Sequence, residues 1–145
     1  MILISESLSE EAKLNLEVLE TWVKCWNIPG LGIEKMVDEL YAEKCEVYTP
    51  LQDIYYVKMG KSKRRWKMVE VSIDKLYKMR KMDIVWKIAK DDTIVLEAKT
   101  HFVMNNGEEI HRGFAAILTF ENGRIIRDHT YMRDANPLTS KTKSQ

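Results

Sequence analysis

Two asparagine-glycine turns divide the last third of the chain into long strands, and no other feature of the sequence restricts the fold as strongly. Ile110 to Phe120 (IHRGFAAILTF) runs into Glu121-Asn122-Gly123 and returns through Arg124 to Asp134 (RIIRDHTYMRD). Asn-Gly suits tight turns whose backbone needs positive φ, so this stretch reads as an antiparallel hairpin. Thr93 to Met104 feeds a second turn at Asn105-Asn106-Gly107, and Asp83 to Lys90 reaches Thr93 through Asp91-Asp92. At least three long antiparallel strands follow one another, and a sheet that long and curved wraps something.

The first half has helical rather than strand periodicity. Ser9 or Ser7 can cap a helix with apolar positions at Ala12, Leu16, Leu19, Trp22, Val23 and Trp26; Glu10 and Glu11 suit its positive end, and it stops before Pro29-Gly30. A second helix, from about Ile33 to Ala42, places Ile33, Met36, Val37 and Leu40 on one face. Cys45 to Tyr48 reads as a short strand closed by Pro50, Leu51 to Gly60 as a connection of unassigned form, and Ser62 to Met79 as a third helix. Helices followed by a run of long antiparallel strands make an α+β order, with helices on one face of a bent sheet, and exclude a dinucleotide-binding fold. The 145 residues, 45% hydrophobic, fit one domain over residues 1–135. The polar tail, residues 136–145, is expected to be disordered.

A net charge of +1 conceals a local asymmetry. Lys58 to Lys81 holds ten basic and two acidic residues, +8 against −7 for the rest of the chain. Such a run could attract nucleic acid. However, Trp66, Val69, Ile73, Leu76 and Tyr77 recur through it at helical spacing, so the basic side chains read as the solvated face of a helix, without the interleaved aromatics of a stacking platform. The start Met1-Ile2-Leu3-Ile4 lacks the basic region and longer apolar run of a secretory signal, and no segment reaches the ~20 apolar residues of a membrane span. A cytoplasmic protein is expected, with Cys25 and Cys45 as reduced core residues. No phosphate-cradling glycine loop, nucleophile elbow or helical HExxH occurs, and the methionines read chiefly as core filling.

Several short segments resemble the nuclear transport factor two-like superfamily, and within it the SnoaL-like proteins. They are Trp26-Asn27, Leu40-Tyr41-Ala42, Cys45-Glu46-Val47-Tyr48-Thr49-Pro50, Gly60, and Phe120-Glu121-Asn122-Gly123-Arg124-Ile125 with Tyr131, which together cover about Leu8 to Asp134. The resemblance implies a cone-shaped α+β barrel: three N-terminal helices packed on a strongly curved, mostly antiparallel sheet, with a pocket between them. It also implies a small hydrophobic ligand and a homodimer through the outer sheet face; no cofactor is expected.

Alternate strand residues share a face, which assigns candidate pocket positions. Ile94, Leu96, Ala98, Thr100 and Phe102 form one inward set; Ile110, Arg112, Phe114, Ala116, Leu118 and Phe120 form the next. With an even register in the last hairpin, Ile126, Asp128, Thr130, Met132 and Asp134 face inward, placing Asp128 near Ala116; a slip of one residue substitutes Arg127, His129, Tyr131 and Arg133. Asp128 is then the candidate acid–base residue, since burial would raise its pKa toward neutrality. The resemblance agrees, because SnoaL-like cyclases are understood to use one pocket aspartate in this way. An ion pair with Arg112 or Arg127, or exposure, is the plainer reading of Asp128. His129 is the alternative acid–base residue in the slipped register. Trp22, Leu96, Thr100, Phe102, Phe114, Ala116, Thr130 and Met132 are candidate ligand contacts, with Tyr48 or Arg112 orienting a polar group.

Carrying other enzymes of the superfamily onto the chain removes candidates. The carboxylate base of ketosteroid isomerases falls at Thr49, before Pro50; their pocket acid falls at Ala116 and their helix-one tyrosine near Trp22. The Asp–Arg–Asp set of limonene-type epoxide hydrolases falls at Thr100, Ala98 and Thr130. Neither mechanism is retained. A three-residue turn at Asn105 to Gly107 sets His101 opposite His111 on the outer face, as two ligands of a zinc site would be, but no Cys or carboxylate completes the set. No metal is therefore expected. That histidine pair reads instead as exposed or interfacial, beside Val95, Val103, Ala115, Ile117 and Tyr131. A non-catalytic ligand-binding or dimerising module of the same fold is the alternative to an enzyme.

Overall fold

Three helices, α1 (Glu10–Trp26), α2 (Leu31–Leu40) and α3 (Lys63–Asp74), lie against one curved sheet in the computed structural model, which describes residues 2–3, 7–51, 54–60 and 62–133. The strands are β1 (Ile2–Leu3), β2 (Tyr41–Leu51), β3 (Ile54–Lys58), β4 (Tyr77–Lys90), β5 (Thr93–Met104), β6 (Glu109–Glu121) and β7 (Arg124–Met132). Their order across the sheet is β1-β4-β5-β6-β7-β2-β3. Pairing is antiparallel except at β1–β4 and β2–β7. The fold is thus α+β, and its barrel is an open one, with β1 and β3 at the edges. The tail and Asp134 lie outside the described residues. Among those described, no helix is long and apolar enough to cross a membrane.

Patterning explains where the core sits. Ser9 caps α1, its Oγ accepting the Ala12 N–H at 3.1 Å. Ala12, Leu19, Trp22 and Cys25 then bury one α1 face, as do Ile33, Met36, Val37 and Leu40 on α2. Opposite them stand Ile94, Leu96 and Ala98 of β5 and Ala116, Leu118 and Phe120 of β6. Each fully buried Leu or Ile contributes about 1.5–3 kcal/mol, so this interlock outweighs any helix propensity. Both cysteines are buried and free. Two asparagines clamp α1 to the sheet: buried Asn15 donates to the Asp91 carbonyl (3.1 Å), and Asn27 Oδ1 accepts the Met82 N–H (2.7 Å).

Three element boundaries differ from the expectation. Tyr41 and Ala42 open β2 instead of ending α2, because the Tyr41 ring is fully buried against Trp66 (centroids 4.3 Å apart) and its backbone turns extended to put it there. The unassigned 51–60 stretch contains β3. Tyr77 to Met79 are strand, not helix. Asn105 in the β5–β6 turn donates from its side chain to the Lys75 carbonyl (2.6 Å) and from its backbone to that of Leu76 (2.9 Å), satisfying the end of α3 and stopping it there.

The β6–β7 register carries the main correction. Asn122 and Gly123 both have positive φ (51° and 74°) in a two-residue loop that pairs Glu121 with Arg124 and Phe120 with Ile125. Continued unchanged, that register would set Asp128 opposite Ile117 on the outer face. A bulge intervenes: Thr119 pairs with Arg127, leaving Ile126 as the extra residue, and Asp128 lies opposite Leu118. Ile125, not Ile126, is therefore the fully buried isoleucine. Asp128 stands two positions along the ladder from the expected Ala116, which faces Thr130.

Candidate functional site

A pocket opens between the helices and the inner face of the sheet. Its walls are Trp22 and Trp26 of α1, Thr49 and Pro50 of β2, and Trp66, Glu70 and Ile73 of α3. The sheet adds Tyr77, Arg80 and Met82 from β4, Thr100 and Phe102 from β5, Ile110, Arg112 and Phe114 from β6, and Asp128, Thr130 and Met132 from β7. Most of this wall is apolar, so the few polar groups fix what it can do.

Asp128 is only 3% exposed, and both carboxylate oxygens are engaged. Tyr41 Oη lies 2.6 Å from Oδ2 and Thr130 Oγ1 2.7 Å from Oδ1. The Trp22 indole N–H, which can only donate, reaches Tyr41 Oη at 2.9 Å. The tyrosine must therefore pass its own proton toward Asp128, while the Thr130 hydroxyl can turn either way. Desolvation pushes the Asp128 pKa from 3.8 up to about 6, although the Tyr41 and Thr130 hydrogen bonds pull it down. Burial and the Asp128 charge hold the Tyr41 phenol well above its usual range, so it stays protonated.

A second polar group lies at the α3–β4 side. Glu70 is buried in the wall, and desolvation raises its pKa from 4.5 to about 7 against the opposing pull of Arg80 and Trp66. Arg80, 3% exposed, forms an ion pair with Asp74 at 3.0 Å and covers the Trp26 ring at 5.2 Å. Asp74 also accepts the Gly30 N–H at 2.6 Å. Arg80 Nε, Trp26 Nε1 and Arg112 Nε are buried donors without an acceptor among the described residues. Donors and carboxylates thus share one apolar enclosure.

Eight of the sequence candidates meet here: Trp22, Thr100, Phe102, Arg112, Phe114, Asp128, Thr130 and Met132. Four do not. Leu96 and Ala116 are fully buried behind the wall, where the helices cover them. Tyr48 and His129 pair across β2 and β7 and stack edge to face at 4.5 Å away from the pocket, because the bulge that turns Asp128 inward turns His129 outward. Burial lowers the His129 pKa, with Arg127 adding to the effect. Neither arginine expected to pair with Asp128 does so: Arg127 faces Glu46 (3.6 Å), and Arg112 bonds the His111 carbonyl (3.0 Å). Tyr41, Glu70 and Arg80 escaped the sequence reading. Tyr41 continues the α2 sequence without a helix-stop signal, and Glu70 and Arg80 fall within a segment that reads as a basic solvated face; the four-residue spacing of Trp66, Glu70 and Asp74 is the signal that marks a buried stripe.

On the outer face His101 and His111 stand opposite each other as the turn length required, their rings stacked at 4.3 Å and 7°. A carboxylate does complete that group, contrary to expectation: Glu109 Oε1 is 2.8 Å from His101 Nε2.

Comparison with known proteins supports the architecture. No family model and no curated protein matches the sequence. Among solved structures, a candidate SnoaL-like polyketide cyclase from Jannaschia superposes with TM-score 0.71 at 9% identity, covering 89% of this chain and 92% of that one. An NTF2-like protein from Anabaena variabilis gives 0.71 at 12% identity, covering 90% and 96%. An LEH-like epoxide hydrolase from M. tuberculosis gives 0.65 at 10% identity, covering 83% of each chain. The chain has the nuclear transport factor two-like fold.

Proposed function

We propose that the protein is a proton-transfer enzyme acting on a hydrophobic small molecule with an acidic C–H bond beside a carbonyl. The observation that carries this reading is Asp128: a carboxylate buried in an apolar pocket wall, held on both oxygens, with a pKa of about 6. Its ionised form would take the proton from carbon while the electron pair moves onto the carbonyl oxygen. Buried donors on Arg80, Trp26 and Arg112 are suited to that oxygen. Protonated Asp128 would then return the proton at another position. The similarity to a candidate polyketide cyclase supports this class of substrate.

The test is deuterium exchange at the α-carbon of a panel of hydrophobic cyclic ketones in D2O, followed by mass spectrometry. Base catalysis requires ionised Asp128, so exchange should rise with pH to half its plateau at about 6. If no ketone exchanges faster than in buffer, yet one binds and is recovered unchanged, the second reading holds: a non-catalytic ligand-binding module. Neutral Thr49, Thr100 and Ala116 favour that alternative, since carboxylates are the residues that familiar relatives place there.

The same proposal includes a homodimer formed on the outer sheet face, where Ile88 and Ile117 are 43% and 38% exposed. Sedimentation should show a dimer that Ile117→Lys converts to a folded monomer. A wild-type chain that is monomeric at all concentrations would refute this part.

A further inference from the structure

We propose that His101, Glu109 and His111 form a binding site for a divalent transition metal, separate from the pocket and on the opposite face of the sheet. Strand register alone places the three side chains together. His101 on β5 pairs with His111 on β6, and Glu109 lies two residues before His111, so all three project from the same outer surface. One ligand atom from each, two imidazole nitrogens and a carboxylate oxygen, falls within 4.8 Å of the others. Ligand bonds in zinc sites are about 2.0–2.2 Å, so side-chain rotation on a fixed backbone can close this group around an ion. The backbone is suited to hold it, since His101 lies within β5 and His111 within β6, while Glu109 opens β6 beside the Asn105–Gly107 turn.

The donor set selects the metal. Two imidazoles with one carboxylate suit zinc, cobalt, nickel or copper, whereas calcium and magnesium call for oxygen ligands throughout. Two neutral imidazoles and one carboxylate leave a divalent ion with net charge +1, and solvent completes its coordination. The neighbouring cations Lys81, opposite His101 on β4, and Lys99, two residues before His101 on the same face of β5, are exposed and can extend into water. His101 is partly covered while Glu109 and His111 are exposed, and the group sits at the turn end of the β5–β6 ladder, away from Ile88 and Ile117 at its other end, so an ion has an open approach. The close co-facial imidazoles beside a carboxylate find a common purpose in such a site. Nothing in the proton-transfer reading requires it, and the two proposals stand or fall separately.

The test is titration of the chelator-treated full chain with zinc chloride by calorimetry, with cobalt absorption reporting coordination geometry. One zinc per chain is expected. His101→Ala and His111→Ala should each weaken binding at least about tenfold, and Glu109→Gln by a smaller factor. His129→Ala, which removes the remaining histidine, should bind as the wild type does. All four changes lie in solvent-facing or partly covered positions, and circular dichroism confirms folding of each variant. Zinc should also raise the melting temperature of the wild type but not of the His101→Ala/His111→Ala double variant. The proposal is overturned if no saturable binding occurs up to about millimolar zinc, or if the double variant binds zinc as tightly as the wild type.

Discussion

Asp128→Asn should abolish exchange while making the folded chain more stable at neutral pH. Removing a positioned general base costs typically about 10²–10⁴-fold in rate. Ligand affinity should stay within a few-fold, because asparagine keeps the size of the side chain, can accept from Tyr41 through its carbonyl and can donate to Thr130 through its amide. The stability effect has the opposite sign. Since the folded-state pKa of about 6 lies above the ordinary 3.8, the folded chain retains a proton that the unfolded chain has released. Its stabilising contribution is complete below pH 3.8 and is lost as pH rises through about 6. The interval corresponds to about 3 kcal/mol, which the neutral asparagine does not forfeit. Urea denaturation at pH 3.5 and pH 8 should therefore show a gap between variant and wild type that opens between pH 3.8 and about 6 and is full above it. A variant less stable than wild type at pH 8 would mean that the carboxylate is held as a structural anion, and the base assignment would lose its support.

The second large effect concerns the wall that carries Arg80. Asp74→Ala should destabilise the protein by about 3–5 kcal/mol, the usual consequence of removing one partner from a buried ion pair. Arg80 and Asp74 have side-chain exposures of 2% and 4%, so solvent cannot take over the lost partner. The same carboxylate accepts the Gly30 N–H at the start of α2, where Gly30 has φ of 83° and no side-chain cap exists. Loss of Asp74 therefore releases the α1–α2 loop and the guanidinium together. Glu70, left as the nearest carboxylate to Arg80, should become more acidic. A urea-midpoint loss equivalent to less than about 1 kcal/mol would place this pair with ordinary surface ion pairs.

How far the sequence reveals this molecule depends on the range of the interaction that decides each feature. Alternation in Thr93 to Phe120 and the helical spacing of Leu19, Trp22, Ile33 and Met36 report local burial, and the structure places those residues in the core as expected. The register of His101 against His111 follows from turn length and is equally legible. Asp128 is different. A two-residue Asn-Gly turn by itself directs Asp128 outward, and the bulge at Ile126 reverses that. Apolar Ile126 and Met132 suggest the inward register, whereas Ile125 is the residue that fills the core. Tyr41, Glu70 and Asp74 were hidden for another reason: their partners lie 87, 10 and 6 residues further along the chain, in Asp128 and Arg80. A buried carboxylate within a +8 segment looks like part of its charged surface until the partner strand is placed.

As the proposed base, Asp128 must exchange a proton near neutrality inside the pocket. Carboxyl carbon NMR of the aspartate-labelled protein, with Asp128 assigned by its absence from Asp128→Asn, measures this without any substrate. A titration midpoint at about pH 6 is expected, well above the ordinary 3.8 of an aspartate. A midpoint at or below 3.8 would show that the Tyr41 and Thr130 hydrogen bonds outweigh burial, leaving Asp128 a fixed anion without acid–base function.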